Sequence, residues 1–265
     1  MPVTMGLEAE FTTKGLAGRT RDQLNRVMSP QSGDLIGLDG AIDTFEIRVP
    51  PSESSYTLLA SLHSLINIYQ KQIRQLRIEL RQKNYPFNPN ANLLLVGAYK
   101  QRLPLGIHVH FSNFGVSHIL NLQALLHTVV ILQFLKRVGP QEEMRMRSIA
   151  GYGGAQPERA IRVQGPNWFE WREPFSCLTP IHMTVLVHSC KLIAEALLAH
   201  EEDFMYKILT TNTFAQNLDA AYTAAPPGTI TRDTLHKVKR YAQILINKAD
   251  NFNWNMDVRK LWGKQ

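Results

Sequence analysis

GLEAEF, Gly6–Phe11, places Glu8 and Glu10 two residues apart among apolar neighbours. In an extended strand, residues i and i+2 share a face. The two carboxylates therefore project together, while Leu7, Ala9 and Phe11 project the opposite way. Three later segments repeat the design. FEIR sets Glu46 and Arg48 against Phe45 and Ile47; IHVHFS sets His108, His110 and Ser112 against Ile107, Val109 and Phe111; FEWR sets Glu170 and Arg172 against Phe169 and Trp171. Period-two alternation of this kind predicts four strands within Val3–Phe11, Ile42–Val49, Gly106–Asn113 and Asn167–Phe175.

Between them the periodicity changes to three and four residues. Leu58, Leu62, Leu65, Tyr69, Ile73, Leu76 and Leu80 form one stripe, predicting an amphipathic helix over about 54–83. The preceding PPSESS offers prolines and then cap-forming residues for its start. Further helices are predicted over about 117–138, stopping at Gly139-Pro140, over 180–209, and over 232–248. Met28–Asp34 and Asn84–Asn92 read as loops. Helices return to one sheet without βαβ spacing, so the expected class is α+β. It would be a largely antiparallel sheet with one polar face and long helices on the other.

The 265 residues carry 44% hydrophobic and 19% charged residues, the balance of a folded globular chain and not a disordered one. There is no repeat, low-complexity tract or linker, so a single domain over 1–265 is expected, with the motifs in 1–175 and a mainly helical part in 176–265. The opening MPVTMGLEAEF lacks a basic stretch followed by an apolar one, which predicts no secretion signal. The most apolar run, His118–Leu135, is interrupted by Asn, Gln and His, which favours a buried helix over a membrane span. Cys177 and Cys190 have no ligand-type spacing and read as buried thiols in a cytoplasmic protein. The formal charge of +7 is compatible with nucleic acid, an acidic surface or an anionic substrate.

An ExE pair alone is most economically a solvated strand face, and ExR on one strand is an ion pair of little worth. Four strands that all present Glu, His and Arg are a different matter. Carboxylates with imidazole suit Mg²⁺ or Mn²⁺. Arginines on the same face suit phosphate or carboxylate through paired hydrogen bonds. Together these describe a phosphoryl-transfer site.

The ordered set resembles the carboxylate–amine ligases of the glutamine synthetase and γ-glutamylcysteine ligase superfamily, and within it the small phage-type COOH–NH2 ligases. GLEAEF is similar to the family's first-strand ExE, and DGAIDTFEIRVPP to its second acidic element, in which Asp39 precedes Glu46 by seven positions. LGIHVHFSN is similar to its GIHxxFS strand, and RMRSIAGYGGAQPERAIRVQGPNWFEWREPFS to the arginine-rich segment leading into a last ExR strand. The resemblance covers about the first 175 residues.

What it implies is an ATP-dependent enzyme. The γ-phosphate passes to a substrate carboxylate, an amine displaces phosphate, and an amide or peptide bond forms with two or three divalent ions, Mg²⁺ or Mn²⁺, in attendance. Glu8, Glu10, Glu46, His108 and Glu170 would be metal ligands. His110 and Ser112 would lie toward ATP, with Arg145, Arg147, Arg159 and Arg162 as candidates for its phosphates or the acyl substrate. Arg172 would contact phosphate or the substrate carboxylate, and Asp39 would position the amine or hold metal, with Asp43 a rival for either role. The partners implied are small-molecule or peptide carboxylates and amines. The resemblance leaves open a site shared between copies in a homo-oligomer and a cleft completed within one chain. A phage-encoded protein would work in the host cytoplasm.

Trp168 shares the face of Glu170 and is placed either in the substrate pocket or in packing, while Trp171 is expected against the helices. Met28–Asp34 and Ala150–Glu158 are candidate site-covering flaps or plain turns. His63, His118, His127, His182, His188, His200 and His236 are read as structural. Two other activities compete. A phosphotransferase on the same scaffold, resembling guanidino kinases, would release a phosphorylated product and no amide. A nucleic-acid-binding protein would use the basic residues, but its acidic cluster would repel phosphate.

Overall fold

The computed structural model describes residues 2–14, 35–38, 44–82, 94–96, 105–115, 160–176 and 180–199, together with 119, 122, 123, 126, 127, 130 and 131. All four predicted strands form: β1 (Thr4–Lys14), β3 (Thr44–Ser52), β5 (Ile107–Ser112) and β7 (Trp168–Trp171). Short strands β2 (Ile36–Leu38), β4 (Leu94–Val96) and β6 (Ile161–Gly165) extend the sheet. The order is β2-β3-β1-β5-β7-β6, with β4 pairing the far end of β1, and every pairing is antiparallel. The four polar-faced strands are thus contiguous, with β1 and β5 at the centre, in an α+β architecture.

One face of the sheet is hydrocarbon. Met5, Leu7, Ala9 and Phe11 of β1, Phe45 and Ile47 of β3, Ile107, Val109 and Phe111 of β5, and Phe169 and Trp171 of β7 are all buried. Helix α1 (Ser55–Gln82) lies on this face. Its Tyr69 ring meets Phe11 edge-on at 5.5 Å and Phe45 at 6.3 Å, and Leu58, Leu62, Leu65 and Ile66 are buried with it. Ser54 caps the helix as the sequence predicts: its hydroxyl accepts from the Thr57 amide at 3.3 Å and its carbonyl from the Leu58 amide at 3.1 Å. The prolines act differently from expectation. Pro50 and Pro51 belong to β3, where the register slips against Met5–Leu7 of β1. Proline cannot donate to a ladder, so it is accommodated at such a bulge and does not begin the helix.

Helix α2 (Pro180–Ala199) realises the first part of the helix predicted from Pro180. It is apolar on nearly every side, with Met183, Val185, Leu186, Val187, Cys190, Leu192, Ile193 and Leu197 buried, the mark of a helix enclosed by its neighbours. Its His188 Nδ1 lies 2.8 Å from Ser55 Oγ, tying α2 to the start of α1. Lys191 donates to the Val3 carbonyl and pairs with Glu195 at 2.7 Å, fixing the start of β1. In the region predicted helical over 117–138, Ile119, Leu122, Leu126 and Val130 are buried at three- and four-residue steps. His127 there pairs with the buried Glu173 at 2.5 Å, a structural role as expected. Helix 232–248, the loops Met28–Asp34 and Asn84–Asn92, the segment Ala150–Glu158 and Cys177 lie outside the described residues. Among those described, no helix is long and apolar enough to cross a membrane.

Candidate metal and phosphoryl-transfer site

Register turns sequence spacing into a site. On the polar face, Glu10 of β1 stands opposite Glu46 of β3. One step along, Glu8 stands between Arg48 and His108, and the next row sets Gly6, His110, Glu170 and Arg162 side by side. Four strands that meet only through long-range pairing therefore deliver four carboxylates and two imidazoles to one patch.

This patch is not a solvated face. Glu10, Glu46, His108, His110 and Glu170 are buried, Glu170 completely, and Glu8 is half-buried. Buried charge is costly unless it is paired or holds a cation. His108 stands at the middle. Its Nδ1 lies 3.4 Å from Glu8 Oε2 and 3.0 Å from Glu170 Oε1, and its Nε2 lies 3.5 Å from Glu10 Oε1. His110 Nε2 is 3.3 Å from Glu8 Oε1.

Two groups of donors result, Glu8–His108–Glu170 and Glu10–Glu46–His108, each with ligand atoms within 4.8 Å of one another. Carboxylate oxygens with one imidazole are the donor set of a hard divalent ion. A neutral imidazole has one lone pair. His108 can therefore ligate one ion only, presenting its N–H toward the carboxylates of the other group. Glu170 Oε1 is buried, and among the described residues it faces only the His108 ring at 3.0 Å and the Arg172 guanidinium at 3.2 Å, so it points into the cluster where a cation would sit.

The surroundings orient these carboxylates. Glu10 Oε2 accepts the Gly106 amide at 2.8 Å, and the Glu10 backbone amide donates to the Gly106 carbonyl at 3.0 Å. Ser176 Oγ donates to the Glu10 carbonyl at 2.6 Å. Arg48 Nε is 2.7 Å from Glu46 Oε2. Glu170 Oε2 meets Arg162 Nη2 at 2.6 Å and accepts from Gln164 Nε2 at 2.8 Å, while Arg172 Nε stands 3.2 Å from Oε1.

Burial pushes the Glu8 carboxyl up, but hydrogen bonds and charge from His108 and His110 outweigh it and hold the group well below the usual carboxylate range. Burial likewise opposes ionisation of Glu170, and His108, Arg172 and Arg162 together pull it below its ordinary value. Both carboxylates are held in the charged form that a metal ion requires.

The predicted ligands Glu8, Glu10, Glu46, His108 and Glu170 are thus brought together, with His110, Arg162 and Arg172 beside them. Ser112 sits further along, opposite Thr4 and Trp168. Trp168 is 43% exposed, its ring 6.1 Å from that of His110, whereas Trp171 is buried against the core and donates to Glu173 at 3.3 Å. Asp39, Asp43, Arg145, Arg147 and Arg159 lie outside the described residues. Sequence reading gave no role to Arg48, Gly106 or Gln164. Arg48 had the signal of a shared face with Glu46; the other two become visible only once strands are paired.

No family model matches the sequence, and no curated protein does. In fold, the chain is similar to PafA, the ligase of the prokaryotic ubiquitin-like protein Pup, in its crystal complex with Pup. The TM-score is 0.64 at 10% identity, over 98% of this chain and 67% of that one. A bifunctional glutathione synthetase from Pasteurella multocida aligns at a TM-score of 0.39 and 10% identity, over 99% of this chain and 49% of that one, a likeness too slight to establish a shared fold. The chain therefore has the fold of the Pup ligase, and its polar sheet face carries the acid and imidazole cluster.

Proposed function

We propose that the chain is an ATP-dependent ligase that joins a carboxylate to an amine. The observation that carries this reading is the convergence of Glu8, Glu10, Glu46 and Glu170 on His108 from four adjacent strands, inside a buried face lined by arginines. The fold shared with PafA supports it, and a ligase caught in complex with the protein Pup favours a peptide as one of the two substrates.

Glu8, His108 and Glu170 would hold one Mg²⁺ or Mn²⁺, and Glu10 and Glu46 another. Bound there, the ions would neutralise the phosphate oxygens and act as Lewis acids. His110 and Ser112, with Arg147 and Arg159, would face ATP. Arg162 is half-exposed and would reach the transferring phosphate, and Arg172 would contact that phosphate or the substrate carboxylate.

In the first step a carboxylate oxygen bonds to the γ-phosphorus as the bond to the β-bridging oxygen breaks, releasing ADP. The amine nitrogen then attacks the acyl carbon, and phosphate leaves with the electron pair of the C–O bond. Asp39 would orient the amine and receive its proton. Residues 1–265 would form one catalytic domain, with the chemistry within 1–175.

Mass analysis of the product tests the reaction class. Incubating the protein with ATP, Mg²⁺ and mixtures of peptides, amino acids and amines should yield a condensed product of the summed masses less water. A product heavier by one phosphate only would mean a phosphotransferase.

A further inference from the structure

We infer that Gln164 is a positioning residue that fixes the rotation of the Glu170 carboxylate, so that Oε1 faces the cluster. This rests on the proposed metal site. The β6–β7 hairpin pairs Ile161 with Trp171, Arg162 with Glu170 and Val163 with Phe169, and then skips to Gly165 opposite Trp168. Gln164 is the extra residue of a β-bulge, a device that frees a residue from the ladder and re-aims its side chain. Its amide reaches diagonally back to Glu170 Oε2 at 2.8 Å.

Among the described residues, four groups surround the Glu170 carboxylate, and they divide by oxygen. Oε2 has Gln164 and Arg162; Oε1 has His108 and Arg172. Gln164 is the uncharged partner of Oε2. Arg162 carries a side chain 54% exposed, and an incoming phosphate would draw its guanidinium away from Glu170. Gln164 has no charge to be drawn and is anchored in the hairpin. It keeps Oε2 occupied while Arg162 is engaged elsewhere, so Glu170 offers one oxygen in one orientation. Partners of this kind orient a ligand and typically govern metal affinity by about ten- to a hundredfold.

The test is Mn²⁺ titration of the full-length protein, with free Mn²⁺ read by electron paramagnetic resonance. Wild type should bind two ions. Gln164→Met, which keeps the shape but removes the amide, should weaken one ion by about ten- to a hundredfold and leave the other unchanged. The metal-free protein should still unfold in one cooperative transition, its midpoint lowered by about 3–12 °C for the loss of one hydrogen bond to a buried carboxylate. Gln164→Ala, on a half-exposed hairpin, should behave alike, and Val163→Thr, at an outward position, should bind as wild type. In a Glu46→Gln background, which removes a ligand of the other ion, Gln164→Met should weaken the ion that remains. Binding of both ions at wild-type affinity by either Gln164 variant overturns the assignment. So does equal weakening of both ions or the loss of a cooperative metal-free transition, since Gln164 would then be structural. Wild type that binds no Mn²⁺ overturns the metal site itself, and the assignment with it.

Discussion

Glu10 and Glu46 stand directly opposite each other across β1 and β3, both buried. The Gly106 amide donates to Glu10 at 2.8 Å, and Arg48 stands 2.7 Å from Glu46. Like charges opposed in this way destabilise a sheet, and a cation between them reverses the sign. Glu10→Gln keeps the shape and the contact with Gly106 but removes one charge. Thermal unfolding in chelator should show this variant about 0.2–1 kcal/mol more stable than wild type, or ~1–4 °C higher in midpoint. A variant less stable than wild type in chelator would mean that the pair is not repulsive.

Divalent ions should stabilise the native state by mass action. At a hundredfold excess over Kd the gain is about 2.7 kcal/mol for one site. Calorimetric scans with Mn²⁺ or Mg²⁺ should show a midpoint that rises with ion concentration in wild type and rises less in Glu10→Gln and Glu170→Gln. An equal rise in all three proteins would place the ions elsewhere.

Acid should unfold the metal-free protein through the same cluster. Glu8 and Glu170 are held below the ordinary carboxylate value, so the unfolded chain binds more protons than the native one. Their stabilising contribution is complete above the unfolded value of about 4.3 and is lost as pH falls through the lower folded values. Denaturant unfolding in chelator should give stability that declines from about pH 4 downward, with a shallower decline in Glu8→Gln. An identical slope in the variant would show that Glu8 is not held in this way.

The opposite face should behave as core. Phe169 stacks on Phe111 with ring centroids 5.0 Å apart and an interplanar angle of 10°, directly behind Glu170. Phe169→Ala should cost about 3–5 kcal/mol in urea unfolding. A loss under 1 kcal/mol, a value about the size of a single methylene, would contradict the packing described.

The four polar-faced strands were legible because alternation with period two is a strong signal when both faces are chemically distinct, as in Glu8/Ala9/Glu10 and Ile107/His108/Val109. Strand β6 was missed. IRVQ does alternate apolar and polar residues, but over four residues the period barely registers, and the strand ends the paired order with Arg162 and Val163 both exposed. The three-residue strands β2 and β4 are too short for any period to register. The site's residue types were readable, but their pairing was not. Register joins Glu10 to Glu46 and His110 to Glu170 across long stretches of sequence, and nothing in local spacing encodes it. The same limit hid Gln164, whose contact with Glu170 depends on a bulge. Pro50 and Pro51 show the converse error, in which a local helix-start signal yielded to the strand they end.

The most direct test of the central claim is ADP release from ATP in Mg²⁺ or Mn²⁺, with carboxylate and amine mixtures, for wild type, Glu10→Ala and Glu170→Ala. If the cluster holds the ions of a phosphoryl-transfer site, wild type releases ADP, chelator abolishes the release, and each variant loses more than about a hundredfold, beyond the usual effect of an orienting residue. Variants that turn over as fast as wild type would contradict the account.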